Sequence, residues 1–286
     1  MTEYAKIGSA QIGLFVLGAI LMIGVPLVLA IVWTKKKHER FTTVLVGAAT
    51  FLLFAVVLEK SIQNVIIFPT AMGLSDHAAG RFINARPLFM AFLLGLFPGI
   101  FEETGRLIAF KTVLKNRKNR ETSISHGIGH GGFEVMFVLG VTFGTYIAYA
   151  LMINAGTYGT LVEQMAAKDP TQAEAGAAVA AQLAAFSFAD LGIDVLERVF
   201  AVMFHIGASM LVFYAVKDKK RFWLYPLAIL IHTLIDFSVG LSFVGLWNPP
   251  AWVLEAIVAA AGMAVFFGAY FLLYKKDNTG LAANPD

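Results

Sequence analysis

Phe97-Pro98-Gly99-Ile100-Phe101-Glu102-Glu103-Thr104-Gly105-Arg106 is the stretch that decides how this chain is read. Two carboxylates and an arginine sit inside a segment, about 88–111, that is otherwise apolar and long enough to cross a bilayer. Ionisable side chains at that depth are costly, so Glu-Glu-x-x-Arg marks either a functional centre or a buried ion pair that sets helix register. On a helix, Glu102 and Arg106 are four apart and share a face, whereas Glu103 is turned by about 100° from Glu102. Pro98 and Gly99, one turn earlier, are expected to loosen the helix just before the charged turn.

Composition carries the membrane reading to the whole chain. Of 286 residues, 58% are hydrophobic and 14% charged, with a mean hydropathy of +0.72. Soluble domains are charged at about 25% of positions, so this is an integral membrane protein. The absence of cysteine excludes a disulfide framework and thiolate chemistry. A net charge of +3 and a pI near 9.0 do not point to nucleic acid, because the basic residues gather at the ends of apolar segments. The partner they imply is the lipid bilayer.

Seven spans follow in order, at about 11–33, 42–58, 88–111, 124–153, 191–216, 222–245 and 251–274. The first is too long for a signal-peptide core and lacks a basic leader, so it is expected to be retained. Residues 154–189, Ala-rich with Glu163, Lys168, Asp169 and Glu174, read as an external helical insertion. Alternate connections hold 15 basic residues: Lys35, Lys36, Lys37 and Arg40; Lys111, Lys115, Arg117, Lys118 and Arg120; Lys217, Lys219, Lys220 and Arg221; Lys275 and Lys276. The other connections hold five: Lys6, Lys60, Arg81, Arg86 and Lys168. This bias predicts an N-terminus outside and a C-terminus in the cytoplasm. The expected fold class is all-α, a polytopic helical bundle forming a single integral membrane domain over 1–286.

The polar residues inside the spans can be placed by depth. Glu102 is nine residues from Lys111, His130 ten from Arg120, His205 twelve from Lys217 and His232 eleven from Arg221. At the helical rise these fall in one slab, ~14–18 Å from that side. Glu134 and Asp236 each follow a histidine by four residues and share its face. Spans one and two have no ionisable residue in their interiors, and span seven has only Glu255 near its outer end. These three read as lipid-facing scaffold.

Each feature alone has a plain explanation. A single transmembrane histidine is more often a helix–helix hydrogen-bonding group than a ligand, and His126 reads as interfacial. Glu134 and Asp236 can simply orient their imidazoles. Gly127, Gly129, Gly131 and Gly132 read as close-packing positions, and Asp194 with Arg198 as a structural pair. The shared depth on four consecutive helices is what these explanations leave out.

That constellation suits water-activating hydrolysis, which needs a base, an oxyanion-stabilising group and an acid for the leaving amine. A glutamate can be the base. His130, His205 and His232 can transfer protons or, with or without a carboxylate, hold a tetrahedral zinc with an open position. There is no His-Glu-x-x-His and no serine in the slab beside a histidine with an orienting acid.

Glu102-Glu103-x-x-Arg106, Gly129-His130-Gly131-Gly132-x-Glu134, Glu197-Arg198 followed by Phe204-His205, and His232-x-x-x-Asp236 resemble the YhfC family of intramembrane metalloproteases. The motif order is also similar to that of the PrsW proteases and the CAAX- and bacteriocin-processing membrane proteases. In the CAAX enzymes one more residue separates the glutamate pair from the arginine, and the second motif ends in histidine, so the likeness is closer to YhfC and PrsW. The resemblance implies cleavage of a membrane-embedded peptide or protein, in a bacterial cytoplasmic membrane, with Glu102 or Glu103 activating water. It implies a catalytic set of Glu102, Glu103, Arg106 and Glu134, with His130, His205, His232 and Asp236 available to a metal. Zinc is the metal expected, and a metal-free glutamate–histidine mechanism is the alternative. Two other classes use the same residues: a proton- or cation-coupled transporter with a buried Glu/His/Asp relay, and a haem or quinone protein with His130 and His205 as axial ligands. Against transport, no paired halves or inverted repeat are visible.

Overall fold

A computed structural model describes residues 4–279. The protein is 82% helical, with no strand among the described residues. That follows from the solvent, since a backbone crossing lipid must satisfy its own amides and carbonyls. Among the described residues seven helices are long and apolar enough to span: Ser9–Lys37, Phe41–Ile67, Pro87–Lys111, Glu121–Asn154, Phe188–Lys217, Lys219–Phe243 and Trp252–Lys276. Pro98 lies inside the third without ending it. The second and fourth contain π-helical stretches, Phe51–Glu59 and Met136–Gly140, which rotate the residues beyond them relative to a regular helix.

The second span corrects the sequence reading. It continues to Ile67, so Glu59 and Lys60, expected to close it, lie within it. Lys60 reaches outward along its stem while its ammonium bonds inward-facing Glu59 Oε1 at 2.9 Å. The span therefore does carry ionisable residues. Beyond it come a 3₁₀ turn, Pro69–Met72, and a short helix, Ala78–Asn84, capped by the His77 side chain.

The chain forms two compact units. One comprises, of the described residues, 4–27 and 135–198. Its core is built on the rings of Phe15, Phe143, Tyr146 and Phe186. Ile7 and Asn154 exchange two hydrogen bonds, at 2.8 and 2.9 Å. The expected external insertion is a helical pair, Tyr158–Ala166 and Thr171–Ala185, closed where Tyr158 donates to the Gly176 carbonyl at 3.2 Å.

The other unit comprises, of the described residues, 28–134 and 199–279 and holds the apolar core around Phe110, Ile128, Phe204, Met210 and Phe213. Glycines bring its helices into backbone contact. A Cβ on Gly47 would stand 2.1 Å from the His126 carbonyl oxygen, and one on Gly129 would stand 1.9 Å from that of Val44. The second span thus packs directly on the fourth and is not the lipid-facing scaffold expected. Gly95 and Gly99 seat the third span on the sixth at Thr233 and Phe237, and Gly127 seats the fourth on the fifth at Ile206. At one end the basic connections are tied together. Glu39 accepts from Arg117 at 3.3 Å and Asn119 at 2.5 Å, and Asp277 accepts from Lys217 and from Tyr214 at 2.9 Å.

Candidate functional site

Within residues 28–134 and 199–279 the third, fourth, fifth and sixth spans bring their ionisable residues together. Glu102, Glu103 and Arg106 are buried, Arg106 completely. Arg106 Nη1 donates to Glu103 Oε1 at 2.5 Å, and its Nη2 lies 3.5 Å from Glu102 Oε2. The tighter pair is therefore with Glu103, three residues back, which also lies on the arginine's face of the helix. The i,i+4 spacing alone points to Glu102, which the fold makes the more distant partner.

His130 Nε2 lies 2.8 Å from Glu102 Oε2, and its Nδ1 has no partner. His205 Nδ1 meets Arg106 Nη2 at 2.6 Å and lies 3.8 Å from Glu102 Oε2, while its Nε2 pairs with Glu134. Glu134 was expected to orient His130, its neighbour one turn back. It instead holds His205, because Gly131 admits the His205 side chain, whose Cβ lies 2.9 Å from where a Gly131 Cβ would sit. His232 Nδ1 lies 2.8 Å from Glu103 Oε1, and its Nε2 lies 3.5 Å from Asp236. The rings of His130 and His205 are 5.1 Å apart, and those of His205 and His232 are 5.8 Å apart. Phe51 and Phe204 add aromatic walls, 5.3 Å from His130 and 4.9 Å from His232.

Three other ionisable residues are placed by the fold. His126, nearer the basic end than His130, is wholly buried in protein, its Nδ1 3.1 Å from Ser209 Oγ and its ring 4.7 Å from Phe110. Arg198 is bonded to adjacent Glu197 and interacts electrostatically with Asp194, as expected, and all three belong to the unit that does not carry the cluster. Glu59 was missed. It is 1% exposed, its Oε2 has no partner, and it interacts electrostatically with His232 and Asp236. Little in the sequence signals it, because Lys60, Ser61, Gln63 and Asn64 make the turns that follow half polar.

Glu102, His130 and His205 each present one ligand atom, and the three atoms lie within 4.8 Å of one another. His232 and Asp236 stand outside this group, in a chain that runs Glu103–His232–Asp236. Charge gives the group a direction. Glu102 and Glu103 share one guanidinium and Glu134 meets the His205 imidazole, so three carboxylates against one fixed cation call for protons or a further cation.

Over residues 20–258 the chain matches the family model described as YhfC intramembrane metalloprotease. It belongs to the YhfC family. Every residue of the cluster lies inside the matched stretch. The "Uncharacterized membrane protein YhfC" of Bacillus subtilis (strain 168) is 29% identical over 238 residues, covering 83% of this chain and 87% of that protein. No solved structure matches. In this YhfC-family chain the metal implied by the family description fits Glu102, His130 and His205. Two imidazoles and a carboxylate are a catalytic zinc donor set that leaves one position open.

Proposed function

We propose that this protein hydrolyses a peptide bond in a membrane-embedded protein or peptide, with zinc held by Glu102, His130 and His205. The observation that carries the reading is the buried convergence of those three ligand atoms within 4.8 Å, directly beside the Glu103–His232–Asp236 chain. A zinc ion bound there would supply Lewis-acid polarisation and make water a better nucleophile near neutral pH.

The protein's own residues do the rest. Glu103 takes the proton of the attacking water at Oε2, the oxygen that has no partner in the fold. Its other oxygen is anchored by Arg106 and His232, which fixes the carboxylate's direction. His232, held between Glu103 and Asp236, relays that proton from Glu103 to the leaving amine, and Asp236 stabilises the imidazolium on the way. Glu134 locks the His205 ring, and Phe51 and Phe204 limit water around the histidines.

Purified protein reconstituted in liposomes with single-span model peptides should release products detectable by mass spectrometry. A strong chelator should stop the reaction and zinc should restart it. Full-rate cleavage by protein shown by elemental analysis to lack metal would remove the zinc-dependent reading. Proton uptake without any peptide product would favour the transporter reading.

A further inference from the structure

A concave space of about 480 Å³ lies where the third and fifth spans end and the sixth begins. Phe110 and Phe222 line its apolar side, and Lys111, Lys115, Lys118 and Lys219 its charged side. Four other basic residues of the same connections are matched to acids, and among the described residues Lys220 is not. Arg117 meets Glu39, Arg120 meets Glu121, Lys217 meets Asp277 and Arg221 meets Asp218. Among the described residues, none of the four lining lysines has a carboxylate within ion-pair distance. Lys111 instead holds its ammonium 5.2 Å from the centre of the Phe222 ring. Four uncompensated ammonium groups facing one hollow repel one another, and an anion entering it removes that cost.

The position in the fold selects the kind of anion. Lys111 is the last residue of the third span and Lys219 the first of the sixth, so the hollow lies at headgroup level. Next to its lining residues in the chain, Val113 is 69% exposed and Trp223 60% exposed, apolar surface suited to acyl chains and to the membrane boundary. The geometry points to a binding site for the headgroup of an anionic phospholipid, its phosphate held by Lys111, Lys115, Lys118 and Lys219. A small soluble phosphate would use the lysines and leave the apolar side empty. The site shares no residue with the peptidase centre, so the two readings stand or fall separately.

The test uses the full chain in a neutral detergent, following its melting midpoint during titration with short-chain phosphatidylglycerol, phosphatidylcholine or inorganic phosphate. Phosphatidylglycerol should raise the midpoint, and the other two at equal concentration should not. In Lys115→Gln/Lys118→Gln/Lys219→Gln the concentration needed should rise by about fivefold for each lysine removed. The matching triple arginine variant should behave as the parent. An equal effect of inorganic phosphate or phosphatidylcholine, or an unchanged titration of the glutamine variant, would overturn the proposal. Unaltered protein exposed to a photoactivatable phosphatidylglycerol should carry adducts within 110–118 and 215–223. Adducts confined to other segments would overturn it even if the glutamine variant failed to fold.

Discussion

The guanidinium of Arg106 and the imidazole of His205 meet at 2.6 Å, Nη2 to Nδ1, although 99 positions separate them in the chain. A guanidinium only donates, so Nδ1 accepts and the ring proton sits on Nε2, directed at Glu134. His205 Nδ1 is also the nitrogen 3.8 Å from Glu102 Oε2. A cation shared by Glu102 and His205 would take that nitrogen in place of Arg106 Nη2, while Nη1 keeps its bond to Glu103.

This makes Arg106 a stand-in for a dication, with a measurable consequence. Arg106→Gln leaves Glu103 buried without its cation and should destabilise chelator-treated protein by on the order of 3–5 kcal/mol. Zinc should recover a large part of that loss, because binding to the folded state stabilises it by mass action. Melting curves with and without chelator check this. An equal penalty in both would show that arginine and metal do not substitute for one another.

The helix contacts that build the site can be tested one methyl group at a time. Gly47→Ala and Gly129→Ala place a Cβ against backbone of the facing helix and should each cost roughly 1–3 kcal/mol. Gly13→Ala has nothing within 4 Å and should be neutral or slightly stabilising, as alanine favours helix. Thermal unfolding of the three variants distinguishes them; a loss in Gly13→Ala matching that in Gly47→Ala would refute the close-packing account.

At the basic end, burial raises the Asp277 carboxyl, but hydrogen bonds from Lys217, Thr279 and Tyr214 outweigh it and hold the group down at about 2. A depressed folded-state value means its stabilisation is complete above the ordinary carboxylate range and is lost as pH falls toward 2. Asp277→Asn should therefore melt lower than the parent at pH 7, and the gap should close as the pH approaches 2. A gap that stays constant between pH 7 and pH 2 would assign the effect to packing.

Orientation can be read with single cysteines in this cysteine-free chain. Asn116 and Thr160 are both exposed and are separated by one span, Glu121–Asn154. An impermeant maleimide applied to whole cells should label Thr160→Cys and spare Asn116→Cys, given the basic bias of the connections. The reverse pattern would invert the protein, and equal labelling would break the span count.

What was legible in the sequence follows from what lipid imposes. Span number came from apolar length and basic flanks, because a bilayer admits only helices of a set length. The convergence of Glu102, His130, His205 and His232 was legible as depth, since rise per residue is nearly constant. The pairings were not. Helix rotation and tilt decide whether Glu134 faces His130 or His205, and both depend on how closely glycines such as Gly131 let neighbouring helices approach. Glu59 was hidden for another reason: beside Lys60 it has the look of a span end, and only the fold separates an outward lysine stem from an inward carboxylate.

The adjacent glutamates Glu102 and Glu103 occupy different surroundings, and this separates their roles. Glu102 shares the three-donor group with His130 and His205, whereas Glu103 is held by Arg106 and His232 and keeps one buried oxygen without a partner. Glu102→Gln removes a charged donor, so the purified variant should contain substoichiometric zinc and lose activity with it. Glu103→Gln leaves the donor group whole, so it should retain stoichiometric zinc while turnover falls by about 10²–10⁴, the range for losing a general base. His232→Ala should resemble Glu103→Gln, and His130→Ala should resemble Glu102→Gln. Zinc content by elemental analysis, set beside cleavage rate for the four variants, gives a two-by-two pattern. Normal zinc in Glu102→Gln together with loss of zinc in Glu103→Gln would exchange the two roles, and full activity in both would detach this pair from the chemistry.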